Sequence, residues 1–220
     1  MNLFDILGPV MVGPSSSHTA GAVRIGYISE ILLQDHVRKA EILLHGSFAT
    51  TGIGHGTDKA LIAGLLGMHP DDIRIPASFD LAKKAGMEFT FSTVTLKDAH
   101  PNTAVLRLSG EHGRKIEVQA ASIGGGRILI AKLDGIEVNF TAEKPTLIVH
   151  NVDQPGHVAQ VTTMLAEKQV NIATLQLYRD KRGGYAVMVI ETDQEVPEES
   201  VTWLEQLDGI IKVTYINVEE

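Results

Sequence analysis

Hydrophobic positions in the first third of the chain follow a helical period. Residues 20–34 carry apolar side chains at the spacing of a helix that is buried on a broad face, and residues 57–66 repeat this pattern. The apolar run at 39–45 predicts a strand, and a second, short strand is expected at 73–75. The predicted order is therefore helix, strand, helix and strand, with a glycine-rich polar loop before the second helix.

From Met87 onward the hydrophobic period changes to two, which is typical of strands. Glycine-containing turns separate the alternating segments. The predicted strands are 87–96, 103–109, 115–123, 127–133 and 136–140. Helices followed by consecutive strands indicate an α+β domain, in which the helices pack on an antiparallel sheet.

A short polar break at Ala142-Glu143-Lys144-Pro145 interrupts this pattern. We place a domain boundary there, between a domain of residues 1–142 and a domain of residues 146–220. In the second domain we predict strands at 146–150, 170–178, 185–191 and 210–218, and helices at 155–168 and 197–207. This order is βαββαβ, the ferredoxin-like split motif.

Composition and charge exclude several classes of function. The net charge of -8 argues against a nucleic-acid footprint. No run is long enough for a transmembrane helix and the N-terminus lacks the features of a signal peptide, so we expect a cytoplasmic protein. The chain has no cysteine, which excludes disulfides, thiolate nucleophiles and a cysteine-ligated cluster within it.

The densest group of short polar side chains is Gly13-Pro14-Ser15-Ser16-Ser17-His18-Thr19-Ala20-Gly21. It precedes the first predicted helix, which Ser17 or Thr19 could cap, so free N–H groups there favour a carboxylate or phosphate. A single serine would be explained as a helix cap, but three serines and a histidine are more than a cap needs. We predict that this loop binds a small polar substrate through Ser15, Ser16, Ser17 and Thr19.

A second polar loop runs from Gly46 to Gly56 and contains His55. It matches neither the P-loop nor the dinucleotide fingerprint, which argues against nucleotide binding. Histidine suits proton transfer because its pKa lies near working pH, so His18 and His55 are the candidate catalytic residues. Asn102 is a further candidate substrate contact. The sequence leaves open which histidine takes the proton.

Four motifs, in order along the chain, resemble the beta chain of the iron–sulfur-dependent bacterial L-serine dehydratases. They are residues 13–19, 45–60, 100–103 and 121–126. The resemblance implies deamination of L-serine to pyruvate and ammonia, with both histidines near the substrate. It also implies a [4Fe–4S] cluster that acts as a Lewis acid and is bound by the cysteines of an alpha subunit, so this chain alone should be inactive. A monovalent cation such as potassium is a further expectation from the family.

The second domain resembles an ACT domain, a regulatory module of amino-acid enzymes. The matching stretches are 151–159, 170–173 and 207–210. The resemblance implies pairing with another ACT domain, with effectors bound between the two. The candidate effector-binding residues are Asn151, Asp153, Gly156, Asn171 and Ile172. A purely structural or dimerising role is the alternative.

The fold of such a beta chain also resembles the allosteric substrate-binding domain of some phosphoglycerate dehydrogenases. Two functions of different classes therefore remain. The first is a catalytic subunit of L-serine dehydratase. The second is a non-catalytic amino-acid sensor that binds serine as an effector. The pair of histidines favours the enzyme, because an effector pocket has no need of two bases.

Overall fold

The computed structural model describes residues 10–217, apart from the side chain of Ile53. The chain forms two compact units that divide at Gly135, ahead of the polar break at 142–145. Among the described residues, no helix is both long and apolar enough to cross a membrane.

The first unit packs helices on a sheet. Its described helices are α1 (Gly21–Leu33), α2 (Ser47–Thr51), α3 (Thr57–Leu65) and α4 (Ser78–Lys84). Its strands are β1 (Val37–Leu44), β2 (Glu88–Thr93), β3 (Thr103–Gly110), β4 (Lys115–Gly124) and β5 (Arg127–Leu133), in the spatial order β2-β1-β3-β4-β5. The mixed helical and sheet architecture confirms the predicted α+β class.

One pair of strands departs from the antiparallel arrangement. β1 and β2 run parallel, with Lys39 opposite Glu88, whereas β1–β3, β3–β4 and β4–β5 are antiparallel. The chain between β1 and β2 contains α2, α3 and α4, and such a crossover is what a parallel pair requires.

The two faces of this sheet differ in polarity. Along β3, Ala104 and Leu106 are fully buried on the helix side. Arg107 points to the opposite face and pairs with Glu41 at 3.3 Å and with Glu117 at 2.7 Å. The apolar face therefore holds the helices, and the other face carries charged side chains.

Glycines allow α1 and α3 to pack closely. A Cβ added to Gly64 would lie 2.0 Å from the carbonyl oxygen of Val23, and a Cβ at Gly26 would lie 2.3 Å from that of Leu61. Each helix begins where one of the two polar loops ends. This packing therefore joins the two helices that the polar loops precede.

Two segments differ from the sequence-based expectation. Residues 73–75 form no strand: the chain turns there and enters a 3₁₀ turn at Ile75–Ala77. Pro76 has no N–H to donate to a strand ladder, and Ile73 is 84% exposed. The expected loop at 46–56 contains α2 and a 3₁₀ turn at Ile53–His55.

The second unit contains the βαββαβ pattern, which confirms the ferredoxin-like prediction. After β6 (Ile136–Phe140) come β7 (Thr146–Val152), α5 (His157–Glu167), β8 (Ile172–Arg179), β9 (Tyr185–Thr192), α6 (Glu198–Glu205) and β10 (Ile210–Ile216). The strand order is β10-β7-β9-β8. Leu147, Val149 and Leu165 belong to a buried core between this sheet and its helices.

A buried carboxylate, that of Asp35, stabilises the first unit just before the start of β1. The side chain of Asp35 is 1% exposed and accepts hydrogen bonds from the backbone N–H and the ring Nδ1 of His112, both at 2.8 Å. Burial acts to raise the pKa of Asp35, but the hydrogen bonds from His112 outweigh it and hold that pKa below its ordinary value. The Asp35 carboxylate in turn raises the pKa of His112.

We expect the His112→Ala variant to be less stable than the wild type mainly at mildly acidic pH. The raised pKa of His112 means that its contribution is complete below the ordinary value of 6.5 and is lost as pH rises through the raised pKa. The lowered pKa of Asp35 means that its contribution is present above 3.8 and is lost as pH falls through the lowered pKa. Thermal unfolding of the wild type and the variant, measured at about pH 5.5 and about pH 9, should show the larger loss of stability at the lower pH. An equal loss of stability at the two pH values would contradict the ion pair.

Candidate active site

The serine-rich loop forms one π-helical turn, Ser16–Ala20, that leads directly into α1. Ser15 is the N-cap: its Oγ accepts a hydrogen bond from the backbone N–H of His18 at 3.2 Å. Ser15 thus caps the π-helical turn, and α1 itself has no side-chain cap, so neither Ser17 nor Thr19 caps the helix as expected. Ser16, Ser17 and His18 are partly buried, and Thr19 is 2% exposed beneath the loop.

The structure brings the two candidate histidines together. The ring centroids of His18 and His55 lie 5.1 Å apart, with an angle of 46° between the rings. The rings of His18 and Phe48 also meet in a T-shaped arrangement, with 5.4 Å between ring centroids. His55 is exposed at the end of its 3₁₀ turn, next to Gly56, whose φ of +72° is in the left-handed region. His18 is thus held by packing, and His55 faces solvent beside it.

Two hydroxyls that the sequence analysis did not assign contact His18. Its Nε2 lies 3.1 Å from Ser47 Oγ and 3.2 Å from Thr51 Oγ1. Both residues belong to α2, where a spacing of four places them on the same side of the helix. The Ser-x-x-x-Thr spacing is the signal that could have identified them, had the segment been recognised as helical.

The third motif fixes the start of α2. The carbonyl oxygen of Pro101 accepts a hydrogen bond from the backbone N–H of Ser47 at 2.8 Å. Gly46 has a φ of +56°, and a Cβ there would lie 2.5 Å from the same carbonyl. Only glycine combines this backbone conformation with so close an approach. The position of Ser47 beside His18 therefore depends on Gly46 and Pro101.

The fourth motif joins the third to the first. The carbonyl oxygen of Asn102 accepts a hydrogen bond from the backbone N–H of Ser122 at 2.9 Å. Ser122 is fully buried, and its Oγ would be 2.1 Å from a Cβ at Gly21, the first residue of α1. The side chain of Asn102, a predicted substrate contact, is half-buried next to this junction. Contacts in the folded chain thus connect all four motifs, although the first and the fourth are about a hundred residues apart in the sequence.

Burial lowers the pKa of His18, and the neighbouring His55 lowers it further; the carbonyl of Ser47 opposes both. His18 is therefore mostly neutral at pH 7 and can accept a proton. In the described part of the chain, no group of three histidine or acidic side chains could hold a metal ion. With no cysteine in the sequence as well, the residues of this chain do not fit an iron–sulfur cluster as ligands.

In the second unit, Asp153 has a structural contact within the chain. Its Oδ2 accepts hydrogen bonds from the backbone N–H of Gly183 at 2.9 Å and from Arg179 Nη1 at 3.0 Å. These bonds tie the turn between β7 and α5 to the turn between β8 and β9. Asn151 is buried in the same region, and Gly156, with a φ of +110°, precedes α5.

The structure does not bring all the candidate effector residues together. Asn151 pairs with Ala186 on β9, whereas Ile172 pairs with Thr192 on the same strand. At the usual rise per residue, these positions are about 20 Å apart. Asn171, next to Ile172, binds Asp193 and Gln194 instead. One chain therefore presents two separate groups of candidate effector residues.

Comparison with known proteins decides the family. The family described as serine dehydratase beta chain matches residues 2–85, and the ACT domain family matches residues 145–209. The chain is 40% identical to the probable L-serine dehydratase, beta chain, of Bacillus subtilis, with 98% of this chain and 97% of that protein covered. It is 37% identical to the L-serine dehydratase, beta chain, of Peptoniphilus asaccharolyticus, with the same coverage. The chain belongs to the L-serine dehydratase beta-chain family.

The beta chain also resembles part of a different enzyme. It is 26% identical to the D-3-phosphoglycerate dehydrogenase of Methanocaldococcus jannaschii over 90% of its own length and 37% of that protein. Both resemblances expected from the motifs, to the dehydratase beta chain and to the ACT domain, are confirmed.

Proposed function

We propose that this beta chain supplies the substrate-binding and acid–base residues of an L-serine dehydratase that converts L-serine to pyruvate and ammonia. Membership of the family makes the chain a subunit of a serine dehydratase. The observation that carries the finer proposal is the pair His18 and His55, whose ring centroids are 5.1 Å apart where the motifs meet, with two hydroxyls in contact with His18.

The proposed roles follow from the chemistry of the elimination. Removal of water from serine requires a base for the α-proton and stabilisation of the departing hydroxide. A neutral histidine can take the α-proton, and the lowered pKa keeps His18 neutral at pH 7. Ser16 and Ser17 would hold the carboxylate and amino groups without adding charge, at the N-terminal end of the π-helical turn before α1, where N–H groups favour an anion.

We further propose that a cysteine-bearing alpha subunit completes the site. This chain has no cysteine, so the expected [4Fe–4S] cluster would be bound by the partner. There the cluster would supply the Lewis acid for the leaving hydroxyl.

Anaerobic co-purification with a cysteine-bearing alpha subunit would test the proposal. We expect a stable complex that forms pyruvate from L-serine, and no activity from either chain alone. Full activity of the beta chain alone, or failure of the two chains to associate, would refute it.

The pH dependence of the complex tests whether a neutral histidine is the base. Because the pKa of His18 is lowered from 6.5, the folded protein loses the neutral form only below that value. We expect kcat/KM to remain high as pH falls to 6.5 and to decline at lower pH, since kcat/KM reports the ionisation of the free enzyme. An acid limb centred well above 6.5 would exclude His18 as a base with a lowered pKa.

The match to a phosphoglycerate dehydrogenase favours a second candidate function. A module that spans most of this chain occurs there as about a third of a different enzyme, which suits a part that senses an amino acid. Isothermal titration of the isolated beta chain with L-serine distinguishes the two. Tight binding without a partner supports the sensor, whereas weak binding that strengthens in the complex supports the shared active site.

We also propose that the second unit pairs with another copy of itself. The strand β8 is at an edge of its sheet, where another strand can add. Because the groups around Asn151 and Asn171 lie at opposite ends of one sheet, an effector that contacts both needs two copies. Sedimentation of the chain with and without candidate amino acids would detect this, and an invariant monomer would contradict it.

A further inference from the structure

Three polar atoms form a closed triangle beside the histidine pair. His18 Nε2 is 3.1 Å from Ser47 Oγ and 3.2 Å from Thr51 Oγ1, and the two hydroxyl oxygens are 3.1 Å apart. Among the described residues, the two side-chain hydrogen bonds of the His18 ring both engage Nε2. The roles proposed for the elimination involve neither Ser47 nor Thr51.

The proton of Thr51 can be placed from its shortest contact. Thr51 Oγ1 donates to the carbonyl oxygen of Ser47 at 2.9 Å, and a hydroxyl has only one proton to donate. Within the triangle, Thr51 Oγ1 can therefore only accept a hydrogen bond. The proton of Ser47 is then the one hydroxyl proton whose direction is open.

The direction of the Ser47 proton follows from the number of hydrogen bonds that each tautomer of His18 allows. If Nε2 carries a proton, it donates to Ser47 Oγ, Ser47 donates to Thr51, and Thr51 donates to the carbonyl, so all three donors are used. If Nε2 is bare, Ser47 donates to it, and Thr51 Oγ1 accepts nothing within the triangle. The form with a proton on Nε2 makes one more hydrogen bond than the bare form, which favours it.

We propose that Ser47 and Thr51 are positioning residues that hold the Nε2–H tautomer of His18 and leave Nδ1 as the nitrogen that takes the α-proton of the substrate. This inference rests on the proposed dehydratase function. When Nδ1 accepts the proton, the ring becomes a cation, and the hydroxyl oxygens on Nε2–H stabilise it. A base whose second nitrogen is held by a hydrogen-bonded group is the general arrangement of activated histidines.

The tautomer can be measured on the isolated full chain, without any partner. Two-bond ¹⁵N–¹H NMR spectra of the ¹⁵N-histidine-labelled chain, at a pH where the ring is neutral, distinguish Nε2–H from Nδ1–H, and the His18→Gln variant assigns the signal. We expect His18 in the Nε2–H form, with a shift towards Nδ1–H in Ser47→Ala and Thr51→Val. An Nδ1–H form in the wild type, or no response to either substitution, would overturn the inference.

Kinetics of the alpha–beta complex provide the second readout. We expect Ser47→Ala and Thr51→Val to lower kcat by about 10- to 100-fold, the scale of a misplaced catalytic group, with little change in KM. The acid limb of kcat/KM should move to lower pH, because the variants lose acceptors that favour the charged ring. Thr51→Ser, which keeps the hydroxyl, should restore most of the activity.

Thr50→Val is the matched control. Thr50 lies on the same short helix, and its Oγ1 donates to the carbonyl of Gly46 at 3.2 Å, as Thr51 does to that of Ser47. Its hydroxyl does not belong to the triangle. A loss of activity in Thr50→Val equal to that in Thr51→Val would show that the helix, and not the triangle, is responsible.

The two readouts separate the inference from the function on which it rests. If the wild-type complex forms no pyruvate, the dehydratase proposal fails, yet the NMR result still decides the tautomer. If the complex is active and the two hydroxyl variants match wild type in kcat and pH profile, the positioning role fails alone.

Discussion

Replacing His18 or His55 by alanine is expected to lower kcat of the alpha–beta complex by about 10²- to 10⁴-fold, the contribution of a general acid or base. The centroids of the two rings are 5.1 Å apart, and the rings come from the loops that precede the packed helices α1 and α3. Because serine hydroxyls are proposed to hold the substrate, KM should change much less than kcat. Anaerobic pyruvate formation, compared at equal complex content, measures both constants.

The double variant shows whether the histidines act as one unit. If they do, His18→Ala with His55→Ala should cost little more than the worse single change, because such effects are not additive. His36→Ala is a suitable control, since this exposed histidine lies just before β1, at the opposite end of that strand from the site. Full activity of both single variants would show that neither histidine is catalytic.

Local pattern predicted the elements that have a strong period. The helices α1 and α3 and the βαββαβ order of the second unit follow from apolar spacing and turn residues. The hydrophobic pattern does not specify which strands pair, so the parallel pairing of β1 with β2 was not predicted. Residues 73–75 show why a short alternation is weak evidence: two isoleucines around an arginine resemble a strand, but Pro76 cannot continue one.

The site was predicted in part, for an identifiable reason. His18 and His55 could be selected because histidines in polar loops are chemically distinctive, and the resemblance to a known family grouped their motifs. Ser47 and Thr51 were not selected, because α2 is only one turn long and β-branched Thr50 and Thr51 disfavour a helix there. Tertiary contacts, such as that of Ser47 with Pro101, form this helix, and no local pattern reveals them.

Gly64→Ala is expected to destabilise the chain by about 3 kcal/mol, near the upper end of the usual cost of overpacking. The added Cβ would meet the carbonyl of Val23 at 2.0 Å and the backbone N of Tyr27 at 2.6 Å, and backbone atoms cannot move aside as a side chain can. Alanine favours a helix over glycine by about 1 kcal/mol, so the clash exceeds the gain in propensity. Urea unfolding followed by circular dichroism measures the difference.

The same substitution also tests how the fold positions the site. If α1 and α3 must separate to admit the new methyl group, His18 moves relative to His55, and activity should fall at temperatures where the chain is still folded. Gly54→Ala is the control for stability, since a Cβ there meets no atom of the described residues within 4 Å apart from its chain neighbours, and we expect a change of at most about 0.5 kcal/mol. Wild-type stability in Gly64→Ala would mean that the two helices can separate without cost, and then their close packing would not be what holds the histidines together.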